Sequence, residues 1–356
     1  MKIAISGFGL ATSLGCSLHT FWDAIKKGEG NVIKKVQLSE LSHDLSQRYL
    51  NKLDNFTIFA IHAVKNCLEL ADFQVNETNA RKTGIMLGNN FGGWSYVENQ
   101  LQTLYQGDMD SINAYVATAW FPTAPQGEIS ILFGIKGTSK TFASDKISSG
   151  YALEAALQAL LSNDLEYVVV GGAEAPFSSL IKDYMNDEAL SLGEGAAALL
   201  LKKDVSGAQD AITTLEAISI EPELTTSIYK SLDVSGLSPS DIDCIILNAS
   251  GQKEQNLYER ECLEKIFPND INLAAMTPLF GNIMGASTVI DIVIGSMMIK
   301  DQCIPPFPQE ILSDYKNSHF LLSDKLREYP LKNILIVGMD ESGQACSIII
   351  RKPDRA

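Results

Sequence analysis

Long apolar runs are missing from this chain: no stretch of its 356 residues approaches eighteen uninterrupted apolar positions, so a membrane span is not expected. Clustered cysteine is missing too. Cys16, Cys67, Cys244, Cys262, Cys303 and Cys346 are scattered, with no CxxC pair and no grouping with the four histidines. That spacing argues against a zinc site and against a disulfide framework, and fits reduced, core-packed thiols in a cytoplasm. Basic charge is scarce. With 28 Lys and Arg against 43 Asp and Glu, the net charge of −15 disfavours nucleic acid or an anionic membrane as partner.

Two motifs fail on a missing residue. Gly7-Phe-Gly-Leu-Ala-Thr12 follows a strand-like run, but lacks the third glycine of a dinucleotide fingerprint and the later acidic residue that would hold a ribose. No Gly-x-Ser-x-Gly elbow marks a hydrolase. The apolar start from Met1 to Cys16 superficially suggests a secretion signal, yet it has one lysine and is broken by Gly7, Gly9 and Gly15; a first strand and turn is the expectation. No metal and no cofactor is expected.

What is present is a large apolar core, 46% of residues, in alternating strand and helix patterns. The most informative stretch is 137–175. It predicts a short strand, a sharp turn over Ala143 to Ser149, a helix through Leu161, and a strand from Tyr167 to Val170 before Gly171-Gly172. A strand breaking into a helix N-terminus is a place to hold a nucleophile, because free N–H groups and the helix dipole stabilise negative charge there. Around it the spacing predicts a helix over 50–72, a strand ending in the glycine-rich turn Gly88 to Gly93, and a pair of strands from Gly193 to Lys202. The polar run Lys203 to Gln209 is the expected boundary, dividing the chain into halves 1–205 and 206–356. In the second half the order recurs: a strand near 212–220, a helix near 224–232, Ile242 to Gly251 as strand and turn, and Met276 to Ala286 entering a long helix from Ser287. Two βαβ-rich halves of similar order suggest a duplicated α/β fold with helices buried between sheets.

Landmarks in order then carry a resemblance over nearly the whole chain: Ile5-Ser-Gly-Phe-Gly9, Gly88-Asn-Asn-Phe-Gly-Gly93, Gln126-Gly-Glu-Ile-Ser-Ile131, Gly137-Thr-Ser139, Gly171-Gly-Ala-Glu174, Gly193-Glu-Gly-Ala196, Asn248-Ala249, and Gly281 with Gly285-Ala286. The chain resembles a β-ketoacyl synthase, which implies the five-layered αβαβα thiolase-like fold. Active members are expected to use a cysteine at the helix N-terminus, two histidines and a lysine. Matching the motifs puts Lys146, or Ile147, at the cysteine position; Ser250 at the first histidine, in Asn248-Ala-Ser-Gly-Gln252; and Asn282 and Thr277 at the second histidine and the lysine. The glycine-rich gate near the C-terminus becomes Asp340-Glu-Ser-Gly343, with Glu341 as a charge beside an acyl tunnel, costly to bury unpaired. His19, His43, His62 and His319 all lie outside these turns.

Within the family, the resemblance implies a chain-length factor: a non-catalytic subunit, not an enzyme on its own, that heterodimerises with an active β-ketoacyl synthase of a type II system and shapes its acyl tunnel. Its size resembles the aryl polyene type. Thr138, Ser139, Lys140, Thr141, Phe142 and Ala143 are the expected dimer seam. Tyr115, Trp120 and Phe121 are candidate tunnel stoppers, with ordinary core aromatics as the competing reading. Acyl carrier protein is expected to dock mainly on the catalytic partner, since carriers are acidic and this chain is −15. Lys146 opposes the helix dipole and is expected to be paired, with Asp145, with Glu341 or with a partner group. Two other functions stay open: an active acyltransferase with a relocated nucleophile, and a stand-alone acyl-chain-binding module.

Overall fold

The computed structural model describes residues 3–31, 34–41, 45–107, 109–185, 192–203 and 211–354. Its strands run in chain order β1 (Ile3–Thr12), β2 (Thr83–Gly88), β3 (Ser139–Phe142), β4 (Tyr167–Glu174), β5 (Gly195–Lys203), β6 (Thr213–Glu221), β7 (Cys244–Ile246), β8 (Asn272–Ala274), β9 (Cys303–Ile304), β10 (Leu321–Leu322), β11 (Arg327–Glu328), β12 (Asn333–Met339) and β13 (Ala345–Arg351). Eleven of them form one ladder, β10-β8-β7-β12-β13-β6-β1-β5-β4-β2-β3, while β9 pairs with β11.

The ladder repeats itself. In the first half β1–β5 and β5–β4 are antiparallel and β4–β2 and β2–β3 parallel; in the second, β6–β13 and β13–β12 are antiparallel and β12–β7 and β7–β8 parallel. The halves meet where Ile3, Ala4 and Ile5 pair with Leu215, Thr214 and Thr213, so two sheets are joined at one corner. The division expected at 205/206 falls within 204–210, outside the described residues.

Alternation within strands explains the layering. Val168 and Val170, Leu199 and Leu201, Ile334 and Ile336, and Ile348 and Ile350 point into a central core shared with helices Ser148–Leu161 and Ser287–Asp301. Their neighbours point the other way. Val169, Ala198 and Leu200 pack under helix Asn55–Leu70, and Leu335, Val337 and Ile349 under helices Leu224–Ser235 and Lys253–Ile266. Five layers result, helix, sheet, helix, sheet, helix, as the resemblance implied. Strands buried on both faces read as continuous apolar runs, and the middle helix Ser287–Asp301 is buried all round from Ser287 to Ile299. The strand pair expected from Gly193 to Lys202 is a single strand, because residues 195–201 are all buried between β1 and β4 and leave no turn. All six cysteines are buried and unpaired, as their spacing predicted. No helix among the described residues is long and apolar enough to cross a membrane.

Candidate active site

Two equivalent turns meet at the centre. In each, a single 3-10 turn leads into a middle-layer helix: Asp145–Ile147 before Ser148, and Met284–Ala286 before Ser287. Each opens on a residue in the left-handed region, Asp145 at φ 48° and Met284 at φ 40°. They touch through glycines: a Cβ on Gly88 would lie 2.4 Å from the Ser149 nitrogen and 2.7 Å from the Gly285 oxygen, and one on Gly172 would lie 2.4 Å from that oxygen. Only hydrogen fits there.

Glu174 ties the second of these turns to the glycine-rich turn after β2. Its buried carboxylate accepts from the backbone of Asn90, from Phe91 at 3.3 Å and Gly285 at 3.2 Å, and from the Asn89 amide at 3.2 Å. Burial nevertheless pushes its pKa up to about 8, since desolvation outweighs those donors.

Lys146 occupies the inside of the first turn, 3% exposed. Its ammonium donates to the Asn248 carbonyl at the end of β7. Desolvation lowers its pKa, opposed by Asp291, then Glu259, then Asp145. Asp291 is pushed up to about 7 by burial, with Lys146 pulling it down. Glu259 is fully buried and accepts from the Asn248 and Ala249 backbone at 2.7 and 3.3 Å and from the Tyr315 hydroxyl at 2.7 Å. Asp145 and Glu341 were the expected partners of Lys146. The main ones are instead a carbonyl and two carboxylates of the second half; Asp145 acts on Lys146 more weakly than these carboxylates, and one of its oxygens accepts from the Glu341 backbone at 3.1 Å. Ile147 is fully buried in the central core.

Ser250, Thr277 and Asn282, expected at the two histidine positions and the lysine position, come together. With Asn31, Lys34 and Glu310 they line one pocket of about 420 Å³. Ser250 shares a 3.4 Å hydrogen bond with Asn256 and accepts from Gln252. Asn282 caps the second turn, its oxygen accepting from the Met284 N–H at 2.9 Å and the Ser287 hydroxyl at 3.3 Å. Lys34 donates to the carbonyls of Pro278 and Leu279. The Glu341 side chain is exposed, so the expected cost of burying a gate charge does not arise; Asp340, the buried acid of that loop, accepts from Ser342 and Gln344.

The described histidines lie off this site, as expected: His19 beside Asp23, His62 on the Cys16 carbonyl, His319 on the Phe267 carbonyl. His43 is outside the described residues. Asp291 and Glu259 escaped the sequence reading. Asp291 did leave a signal, as the single charge in the apolar run Ser287 to Ile299.

The aromatic candidates are not core residues. Tyr115, Trp120 and Phe121 are 40, 38 and 49% exposed and form a ledge. Trp120 lies 5.1 Å from Phe121 with the rings tilted by 51° and edge-on at 6.3 Å to Trp94, and Lys52 sits 4.7 Å over the Tyr115 ring. The Trp120 carbonyl accepts from Gly93, which links the ledge to the turn after β2. Of the seam residues, Ser139 to Phe142 form β3, which among the described residues pairs only with β2 at the edge of the ladder, while Thr138 and Ala143 flank it.

Comparison with known proteins fits this architecture. The β-ketoacyl synthase N-terminal domain matches residues 29–183 and the β-ketoacyl synthase C-terminal domain residues 205–309. The chain belongs to the β-ketoacyl synthase family. It is 22% identical to the tetracenomycin polyketide synthase ketoacyl synthase beta subunit of Streptomyces glaucescens, over 85% of this chain and 87% of that protein. It is 21% identical to the 3-oxoacyl-[acyl-carrier-protein] synthase 2 of Coxiella burnetii, over 86% and 87%. The ishigamide ketosynthase/chain length factor structure superposes with a TM-score of 0.84 at 16% identity, covering 99% of both chains. A type II polyketide acyl-carrier protein in complex with its ketosynthase gives the same TM-score, identity and coverage. These relatives correct one expectation. The chain was expected not to be an enzyme on its own, but the Coxiella protein is named as a synthase, and replacement of side chains at matched positions does not by itself show that a chain is inactive.

Proposed function

We propose that the chain works as a chain-length factor: a subunit that pairs with a catalytic β-ketoacyl synthase in a type II assembly, bacterial aryl polyene synthesis being the narrower assignment, and bounds the tunnel in which the acyl chain grows. The observation that carries this reading is the side of the molecule around β3. A sheet edge there, unpaired among the described residues, lies close in sequence to the half-exposed Tyr115, Trp120 and Phe121. An open edge asks for a pairing strand, and rigid aromatics suit a surface that becomes buried on association. In this reading Lys146, or Ile147, stands at the family's cysteine position, Ser250 and Asn282 at its histidine positions and Thr277 at its lysine position, while Glu341 lies in the matched gate. In this arrangement the growing chain stops where it meets bulk, and acyl carrier protein lands mainly on the catalytic subunit.

Co-expression with a ketosynthase from the same genome, followed by sizing, tests the pairing. A stable one-to-one complex is expected; two separate species refute it. With the complex in hand, Trp120→Ala and Phe121→Ala are expected to lengthen the product read by mass spectrometry, and unchanged lengths remove these residues from the tunnel.

A further inference from the structure

The charge of the chain is not spread evenly. Against −15 overall, the segment 113–144 holds a single acid, Glu128, and two bases, Lys136 and Lys140. Glu128 accepts from the Tyr49 hydroxyl. Lys140 lies within β3, is exposed, and has no ion-pair partner among the described residues.

Its face of the sheet can be assigned. The Thr141 hydroxyl donates at 2.8 Å to Gln126 of helix Ala124–Phe133, whose Ile129 belongs to the outer core under helix Asn55–Leu70. Phe142 packs against the central core. Side chains alternate, so Lys140 shares the inner face with Phe142.

This placement constrains self-pairing. If two copies extended the sheet edge to edge about a two-fold axis, each inner face would continue as an inner face. Residues directly opposite in an antiparallel pair lie on the same face. Over a strand of four residues, Lys140 then stands directly opposite its own mate, with Cβ atoms about 4.5–5.5 Å apart, or diagonal to it at about 7–8 Å. Two ammonium groups come together in both registers that pair three of the four residues of β3. A partner chain without a cation at the facing position escapes that repulsion.

Resting on the edge-pairing reading above, we infer that Lys140 selects the partner: it disfavours a second copy of this chain and fits a chain of the same fold with a neutral or acidic residue facing it. Lysine on an edge strand is a common device against unwanted pairing; here it leaves one kind of pairing open.

A charge swap tests this with the protein alone. Wild type, Lys140→Glu, Lys140→Thr and an equal mixture of wild type with Lys140→Glu are compared by light scattering across concentration. The mixture is expected to associate at least about tenfold more tightly than wild type or Lys140→Glu alone. Lys140→Thr is expected to self-associate more tightly than wild type. Raising salt from about 50 to about 500 mM should weaken the mixed pair and strengthen the like-charged ones. Equal affinities in all samples, or no association in the mixture, overturn the role of Lys140. If the co-expressed ketosynthase still forms its complex, only that role falls; if it does not, the pairing reading falls as well.

Discussion

Replacing Lys146 by methionine keeps most of the side-chain volume and removes the ammonium that faces the Asn248 carbonyl, Asp291 and Glu259. Breaking a buried ionic cluster by removing one member costs about 3–5 kcal/mol, because the remaining charge is left uncompensated. That cost depends on pH. Asp291 sits at about 7 with Lys146 present, so loss of the cation moves it higher. Near about pH 8 the variant must then bury a bare carboxylate or protonate it, and the full penalty of about 3 kcal/mol appears, roughly 4 °C in Tm for a chain of this length. Near about pH 5.5 protonation is cheap and the loss shrinks to about 1–2 kcal/mol, much of it the unpaired Asn248 carbonyl. The double variant Lys146→Met with Asp291→Leu should recover most of the stability at both values, as apolar replacement of buried ion pairs often does. Denaturant unfolding of the three proteins at the two pH values measures this. A loss that is equal at both, or a single variant more stable than wild type near about pH 8, refutes the account of the cluster.

The parent protein should also lose stability as pH rises. Glu174, Glu194 and Asp291 are raised to about 8, 7 and 7, so the stability they contribute is complete below their unfolded values and is lost as pH climbs through the folded ones. Thermal melts should fall steadily from about pH 5 to about pH 8; a rise over that window contradicts the burial of these acids. Gly172→Ala is expected to cost about 3 kcal/mol or to prevent folding, since its Cβ would meet the Gly285 oxygen at 2.4 Å; a melt within about 1 °C of wild type contradicts the contact. Asp54 caps helix Asn55–Leu70 and accepts at 2.6 Å from the Ser95 hydroxyl and 2.7 Å from the Tyr96 N–H. Asp54→Ala should cost about 2–4 kcal/mol, and proteolysis should cut first in helix Trp94–Tyr105, which that carboxylate holds; unchanged cleavage opposes the assignment.

Much of the scaffold was legible because its signals are local. The run 137–175 resolves into β3, the turn, the helix from Ser148 to Leu161 and β4 close to where apolar spacing and glycine punctuation place them. The duplication was legible in outline for the same reason. What escaped was long-range. That Lys146 looks to Asn248, Asp291 and Glu259 depends on the second half closing over the first, and nothing near Lys146 in sequence announces it. The aromatics Tyr115, Trp120 and Phe121 were singled out, but the competing reading placed them in the core, because hydrophobicity predicts burial in general, whereas they lie on the surface of the single chain.

The middle layer takes one helix from each half, Ser148–Leu161 from the first and Ser287–Asp301 from the second. Neither half owns a complete core. During synthesis the inner face of β5, which ends at Lys203, stays short of its cover until the helix Ser287–Asp301 has been made about a hundred residues later, which leaves apolar surface exposed over that interval. Once closed, the two halves have no separate stability to fall back on, and calorimetry should record one cooperative transition for a chain whose strand order reads as two.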